Sequence, residues 1–402
     1  MFYLLKYFED AFGPLRLFGF VSTRVVCAAF TAFVLMMIVM PPLIRWLKRK
    51  KFGEQGSKGE AAVVDAMRDS KKGTPTMGGL GIVGVVMATA ILWCNPMEPR
   101  TWLLVVGLAA YAGIGYLDDR LKIFKGAKGI SSKSKFAIQV LIGTACGFAL
   151  FAINERNREV LEHKKVDQIG SILVFEHKPP TENVGTKGET FRVPLGTHEL
   201  AFPFLPLSAA VNLGIFAVLW TLLMTAACAN GVNFTDGMDG LASGTMLISA
   251  LAFMAIAYVT SRVDTTEFLK VLYVPGGQEV AVFSAAVAGA CLGFLWFNCA
   301  PAEVFMGDTG SQALGGYLAL AALNTKQEFL VLLVGFVFFV EALSVILQVG
   351  SYKLRNKKRI FLCAPLHHHF QYQGWPESKI VMRFWIIAAL AALLALTTLK
   401  LR

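Results

Sequence analysis

Residues Asn230–Gly240 read N-G-V-N-F-T-D-G-M-D-G, a polar, glycine-rich stretch between two long apolar runs at about 207–228 and 241–259. Asp236 and Asp239 stand three residues apart, so one helical turn would bring both carboxylates to the same face. Acids beside membrane-length apolar segments are costly unless they are paired, metal-bound or wet. A single Asp here would read as the cap of the following helix. Two of them, with Asn230 and Asn233 alongside, form an oxygen-rich cluster that suits a hard cation such as Mg²⁺.

The rest of the chain carries the same membrane signature. Of 402 residues, 55% are hydrophobic and only 16% charged, and the mean hydropathy is +0.57. A soluble chain of this length carries charge on about a quarter of its residues. The net charge of +11 would otherwise point to nucleic acid, but Lys and Arg cluster in short loops between apolar spans. That placement fits membrane topology and anionic headgroups, and no nucleic-acid partner is expected. Seven Cys are present without a C-x-x-C pair, and those in or beside apolar runs read as small packing residues. The first apolar run is long and lacks a basic flank, so no cleavable signal peptide is expected.

The pattern predicts an all-α polytopic membrane protein, a single integral domain over 1–402 with about ten transmembrane helices. The expected spans are 20–44, 77–94, 101–118, 135–153, 207–228, 240–260, 279–298, 311–324, 328–350 and 380–399, each near the roughly 20 residues a bilayer requires. Pro41-Pro42 should kink the end of the first. The basic loops after spans one, three and nine share one side, which the positive-inside rule makes cytoplasmic. Both termini are then outside. So is the insertion 154–206, where Ser171–Phe175 and Thr190–Val193 read as a small β-hairpin. His163, His177 and His198 in and near it are expected to be solvated.

Every unusual polar motif follows an odd crossing: K-K-G-T-P-T-M-G-G at 71–79, L-D-D at 117–119, Asn230–Gly240, Asn298 with P-A-E-V-F-M-G-D-T-G-S at 301–311, and P-L-H-H-H-F at 365–370. The topology therefore lets five distant motifs converge at one mouth. Asp118 and Asp119 close a helix, where their charge opposes the macrodipole and favours a nearby cation or a base role. Gly307 and Gly310 offer backbone N–H groups at a helix start, a phosphate-binding arrangement, and Asp308 there suits Mg²⁺ bridging phosphate oxygens. His367, His368 and His369 lack the spacing of a helical zinc site and suit phosphate contact or acid–base work. Glu341, inside an apolar span, is a candidate for pairing with Arg or Lys or for catalysis. Carboxylates, Lys side chains, metal positions and glycine turns together are equipment for phosphoryl transfer.

These motifs, with W-F-N at 296–298, resemble those of the phospho-N-acetylmuramoyl-pentapeptide-transferases, bacterial enzymes that make lipid I. The resemblance covers nearly the whole chain outside 154–206, and the wider superfamily of polyprenyl-phosphate sugar-phosphate transferases shares the Asp pair and the aspartate loops. It implies ten transmembrane helices in the bacterial inner membrane, a cytoplasmic active site, Mg²⁺ dependence and a homodimer. It also implies attack of undecaprenyl phosphate on UDP-MurNAc-pentapeptide with release of UMP. By resemblance, Asp308 is a magnesium ligand, Asp118 and Asp119 serve the lipid phosphate as base or nucleophile, and Asp236 and Asp239 lie near the uridine and metal, Asp236 as a second metal position. Lys71, Asn233, Asn298, Phe305 and Gln348 match nucleotide-side positions, with Thr76 in the same loop. The three His match residues acting on the phosphates, and Lys122 and Lys133 match the basic loop.

Phe234, Met238, Gln312 and Gln371 depart from the usual Leu, Leu, Leu and Glu. Gln312 leaves the polarity of its helix face undecided. Two other readings stand beside this one: the same transfer with another sugar donor such as UDP-GlcNAc, or a transporter using the acids as its path. The second would place acids at bilayer mid-depth, whereas here they sit at span ends.

Overall fold

A computed structural model describes residues 1–50, 71, 73–125, 129–163, 168–169, 172–177, 189–194 and 196–400. Much of the first basic loop, and Lys72 of the 71–79 motif, lie outside the described residues.

Each of the ten expected spans holds a helix. They are α1 Val21–Arg49, α2 Gly79–Trp93, α3 Pro99–Lys125, α4 Ser132–His163, α5 Phe216–Thr235, α6 Leu241–Thr260, α8 Gln278–Asn298, α9 Gly307–Asn324, α11 Phe336–Leu354 and α13 Glu377–Thr398. Short helices α7 Val263–Leu269, α10 Val331–Val334 and α12 Leu366–Tyr372 lie between them. Among the described residues, eight helices are long and apolar enough to cross a membrane; α2 is shorter, at 15 residues. The protein is an all-α polytopic membrane protein.

Burial sorts the helices. α8 and α9 form the centre and are buried along nearly their whole length. α1 and α6 pack on α8, and α3 and α5 pack on α9. Small residues make this possible: Gly289 meets the backbone of Ala29, and Gly315 meets that of Ala229. Without a hydrophobic drive between helices in lipid, such close approach supplies the packing energy. Because α9 is enclosed by protein rather than lipid, it can carry Asp308, Gln312 and Asn324, which explains why the eighth span looks short by hydropathy alone.

Boundaries differ from the expected ones where polar punctuation intervenes. The fifth helix begins at Phe216, because 207–209 form a 3-10 turn and Val211–Asn212 pair with Glu199–Leu200 as a two-stranded sheet. Gly214, at φ +49, turns the chain into the helix. The ninth span is divided at Gly335 into α10 and α11. α1 runs on through Pro41 and Pro42 to Arg49. The hairpin of the 154–206 insertion is present: Ile172–His177 pairs antiparallel with Glu189–Pro194, and Gln168–Ile169 adds a third strand.

One expectation about that insertion is corrected. His198 is buried, stacked on Phe151 at 4.3 Å between ring centroids, with Nε2 2.7 Å from Glu155 Oε1. The aromatic face of α4 covers the imidazole and a carboxylate takes its polar edge, so it is not a solvated surface group.

Candidate active site

The motif-bearing helix ends all lie at one end of the bundle, and three linked clusters form there. The first joins α3, α4, α5 and α9. Asp308 Oδ2 accepts from Lys122 Nζ at 2.9 Å and Lys135 Nζ at 2.6 Å, while its Oδ1 accepts from Asn233 Nδ2 at 3.0 Å. Asp118 Oδ2 shares the same two ammoniums, at 2.8 Å from Lys122 and 3.4 Å from Lys135, and its Oδ1 accepts the Ile130 N–H at 2.6 Å. Asn233 also donates to Ser311 Oγ at 2.8 Å.

Asp119 behaves differently from its neighbour. Its carboxylate accepts the N–H of Asp308 at 3.0 Å, and the N–H and hydroxyl of Thr309 at 2.8 and 2.6 Å. The helix start at 307–311 therefore does attract an anion, as expected of a helix N-terminus, but the chain supplies that anion itself. Gly310 is buried against Gly79, so its N–H does not face an open phosphate position. Gly307 takes φ +74, a left-handed turn that starts α9 under Asp119 and Thr76. Gly115 of α3 lies against the Asp308 carbonyl, and any Cβ there would collide with it.

The second cluster binds the loop 71–79 to Asn230–Gly240. Lys71 Nζ lies 2.5 Å from Asp239 Oδ1 and 2.7 Å from Glu377 Oε1. Glu377 also accepts the Asp239 N–H at 2.8 Å, and Asp239 Oδ2 accepts the Ala302 N–H at 3.1 Å. Burial works against the Lys71 ammonium, but Glu377 and Asp239 outweigh it and raise its pKa above the ordinary value of 10.5. The bridge is complete at neutral pH and is lost only as pH climbs through that raised value. Phe305 offers its ring 5.9 Å from Lys71 Nζ. Its backbone is stitched to the 71–79 loop by the bonds Phe305 N to Pro75 O and Gly78 N to Phe305 O, both 2.8 Å. Asn298, buried, accepts from Gly240 N and Ser243 Oγ and donates to Val304 O, so it braces both loops.

The third cluster holds the histidines. On α12 the rings of His367 and His368 stay in contact, 4.2 Å between centroids, but each of the three histidines bonds a different partner. His367 is fully buried; its N–H donates to Glu341 Oε1 at 3.1 Å and its Nδ1 lies 3.3 Å from Glu341 Oε2. The intramembrane acid is thus paired with His rather than with Arg or Lys. The other edge of His367 packs on Gly237, where a side chain would meet Nε2. His368 Nδ1 bonds Gln371 Oε1 at 2.6 Å, and His369 Nδ1 accepts the Leu362 N–H at 3.1 Å. Gln348 holds the preceding loop through Ile360 and Phe361.

Residues 101–326 match glycosyl transferase family 4. The whole chain is similar to phospho-N-acetylmuramoyl-pentapeptide-transferases of Thermodesulfovibrio yellowstonii (39% identical, covering 99% of each chain), Protochlamydia amoebophila (38%, 95% of each) and Methylacidiphilum infernorum (37%, 100% of each). The chain belongs to this transferase family. Within the family frame, the structure brings Asp118, Asp119, Lys122, Asn233 and Asp308 into direct contact, and Lys71, Asp239, Asn298 and Phe305 into the adjoining cluster. Asp236 is the C-cap of α5, three residues after Asn233. Lys133 is exposed on the first turn of α4; Lys135, two residues on, makes the contact with both carboxylates. Lys135, Thr309 and Glu377 were not singled out by sequence. Lys135 was visible only as one of several basic loop residues, and Glu377 only as the first acid of the last helix.

The first cluster sets the Asp118 and Asp308 carboxylates against two ammoniums, with the Asp119 carboxylate behind them on the start of α9, so its anionic groups are all carboxylate oxygens. Among the described residues no three His, Cys, Asp or Glu side chains converge tightly enough to hold a metal alone. The donor set fits Mg²⁺, which is normally held by one or two carboxylates and completes its shell with water and substrate phosphates.

Proposed function

We propose that this chain transfers phospho-N-acetylmuramoyl-pentapeptide from UDP-MurNAc-pentapeptide to undecaprenyl phosphate, giving lipid I and UMP, at the cytoplasmic face of a bacterial inner membrane. The observation that carries this reading is the facing pair Asp118 and Asp308, bridged by Lys122 and Lys135. Such a cradle can neutralise a diphosphate while leaving a carboxylate beside an incoming phosphate.

In this mechanism Asp118 positions the lipid phosphate and takes any remaining proton from it. A phosphate oxygen attacks the phosphorus attached to the sugar. The bond between the two donor phosphates breaks, and its electron pair leaves on the oxygen of UMP. Lys122 and Lys135 move from the carboxylates toward the developing charge, which is where a phosphoryl transfer gains most of its rate. Asp119 holds the start of α9, and therefore Asp308, in place. Lys71, Asp239 and Phe305 serve the nucleotide side, and His368 and His369, which are only partly buried, face the phosphates while buried His367 fixes α12 to Glu341. Held by Asp308, with Asp236 at the end of α5 as a second position, Mg²⁺ would supply charge neutralisation of the diphosphate. Lys and Arg bias in the loops supports the cytoplasmic placement. A homodimer belongs to the same proposal.

Purified protein offered UDP-MurNAc-pentapeptide and UDP-GlcNAc separately, each with undecaprenyl phosphate, should release UMP from the first. Turnover of the acetylglucosamine donor alone would reject the substrate. A labelled phosphoenzyme formed without lipid would replace the single attack with a two-step route through Asp.

A further inference from the structure

Beneath the carboxylate cradle lies a second polar layer that the transfer itself does not use. Gln139 of α4 donates from Nε2 to Gln312 Oε1 of α9 at 2.8 Å, and its Oε1 accepts from Asn230 Nδ2 of α5 at 3.0 Å. Gln139 and Gln312 are buried, at 1% and 0% exposure. Asn230 is anchored in turn by its own helix, through Ala226 O at 2.8 Å.

Each member sits one helical turn from a residue of the cradle, and on the same face. Gln139 follows Lys135, Gln312 follows Asp308, and Asn230 precedes Asn233. The layer thus ties the same three helices that carry Lys135, Asn233 and Asp308, one turn deeper in the bundle. It is not the most stable filling for that space. Gln312 Nε2 is buried with no hydrogen-bond partner, and an unsatisfied buried amide is worse than an apolar side chain of similar shape. An apolar layer, however, would leave helix rotation and register weakly specified, whereas directional bonds admit one arrangement.

We infer that Gln312, Gln139 and Asn230 form a positioning layer that sets the register of α4, α5 and α9 and so holds Lys135, Asn233 and Asp308 at bonding distance. The inference deepens the proposed transfer and rests on it for its kinetic readout only.

The test compares wild type with Gln312→Leu in detergent or nanodiscs. Gln312→Leu should lower kcat for UMP release about tenfold while KM for the nucleotide donor stays within twofold. In a Lys135→Ala background the same substitution should add little, because the layer acts through Lys135 and Asp308. Without any substrate, amide hydrogen exchange at 307–312 should rise in Gln312→Leu, a readout that holds whatever the donor is. A folded Gln312→Leu protein with wild-type kcat and unchanged exchange would overturn the inference. So would an effect that multiplies in full with Lys135→Ala. If Gln312→Leu does not fold, Gln139→Met is read by the same measurements. A wild type that releases no UMP while the exchange difference appears would sink the proposed transfer and leave the layer standing.

Discussion

The two ends of the bundle both bury charge, and they do it in opposite ways. At the end away from the cradle, Arg24 and Glu279 are both under 2% exposed. One guanidinium nitrogen lies 2.9 Å from each carboxylate oxygen, Asn95 N–H donates to Glu279 at 2.7 Å, and Arg24 stacks on Tyr3. Arg100 is likewise enclosed by neutral acceptors, Asn324, Asn154 and the Pro275 carbonyl. At the cradle end Asp118 and Asp308 share two ammoniums that each serve both, and a third carboxylate, Asp119, lies beside them on the start of α9. One arrangement pairs Arg24 with Glu279 and encloses Arg100 among neutral acceptors, and it locks α1, α3, α4, α8 and α9 together. The other is crowded, shared and carries excess negative charge, which is costly for folding and useful only if a cationic or phosphate-bearing ligand completes it.

The contrast can be broken by single substitutions. The largest expected effect is at the cradle: Asp118→Asn should cut UMP release by about 10³-fold, the scale of losing a key electrostatic group. It should leave thermal stability unchanged or raised, since a crowded like charge is removed. Glu279→Ala at the far end should do the reverse. It strands the Arg24 guanidinium in the bundle and should destabilise the fold by about 3–5 kcal/mol, with turnover per folded molecule preserved. A Glu279→Ala protein as stable as wild type but inactive would erase the distinction. Next in size, Gly115→Ala pushes a methyl into the Asp308 carbonyl and should cost about 10²-fold in rate, as small displacements of catalytic groups do. The sharpest test of which basic residue matters is a pair measured side by side. Lys135→Ala should lower kcat by about tenfold or more, whereas exposed Lys133→Ala should stay within about twofold.

Much of the architecture was legible in the sequence because lipid imposes length and polarity rules on every span. The motifs announced their side of the bundle through the Lys and Arg counts of neighbouring loops. What the sequence could not show was which polar group finds which. Lys133 and Lys135 differ by about 200° of helix rotation, and only the packing of α4 on α5 decides that the second one faces the carboxylates. Asp118 and Asp119 are equivalent as letters, yet one faces the ammoniums while the other caps α9 from a different helix. His367, His368 and His369 look like one unit as letters, yet each takes its own partner, Glu341, Gln371 and Leu362, and only His367 is fully buried. Gln312, an oddity in its motif, acquires meaning when Gln139 and Asn230 appear beside it. His198 was misjudged for the same reason: its partner Glu155 and its cover Phe151 lie more than forty positions away.

The central claim, that the Asp308 cradle performs Mg²⁺-assisted transfer of a sugar phosphate to a lipid phosphate, is tested most directly by UMP release. The assay runs on wild type and Asp308→Ala, each with Mg²⁺ and with EDTA. The account predicts release only from wild type with Mg²⁺. Release by Asp308→Ala at the wild-type rate, or by wild type undiminished in EDTA, would contradict it.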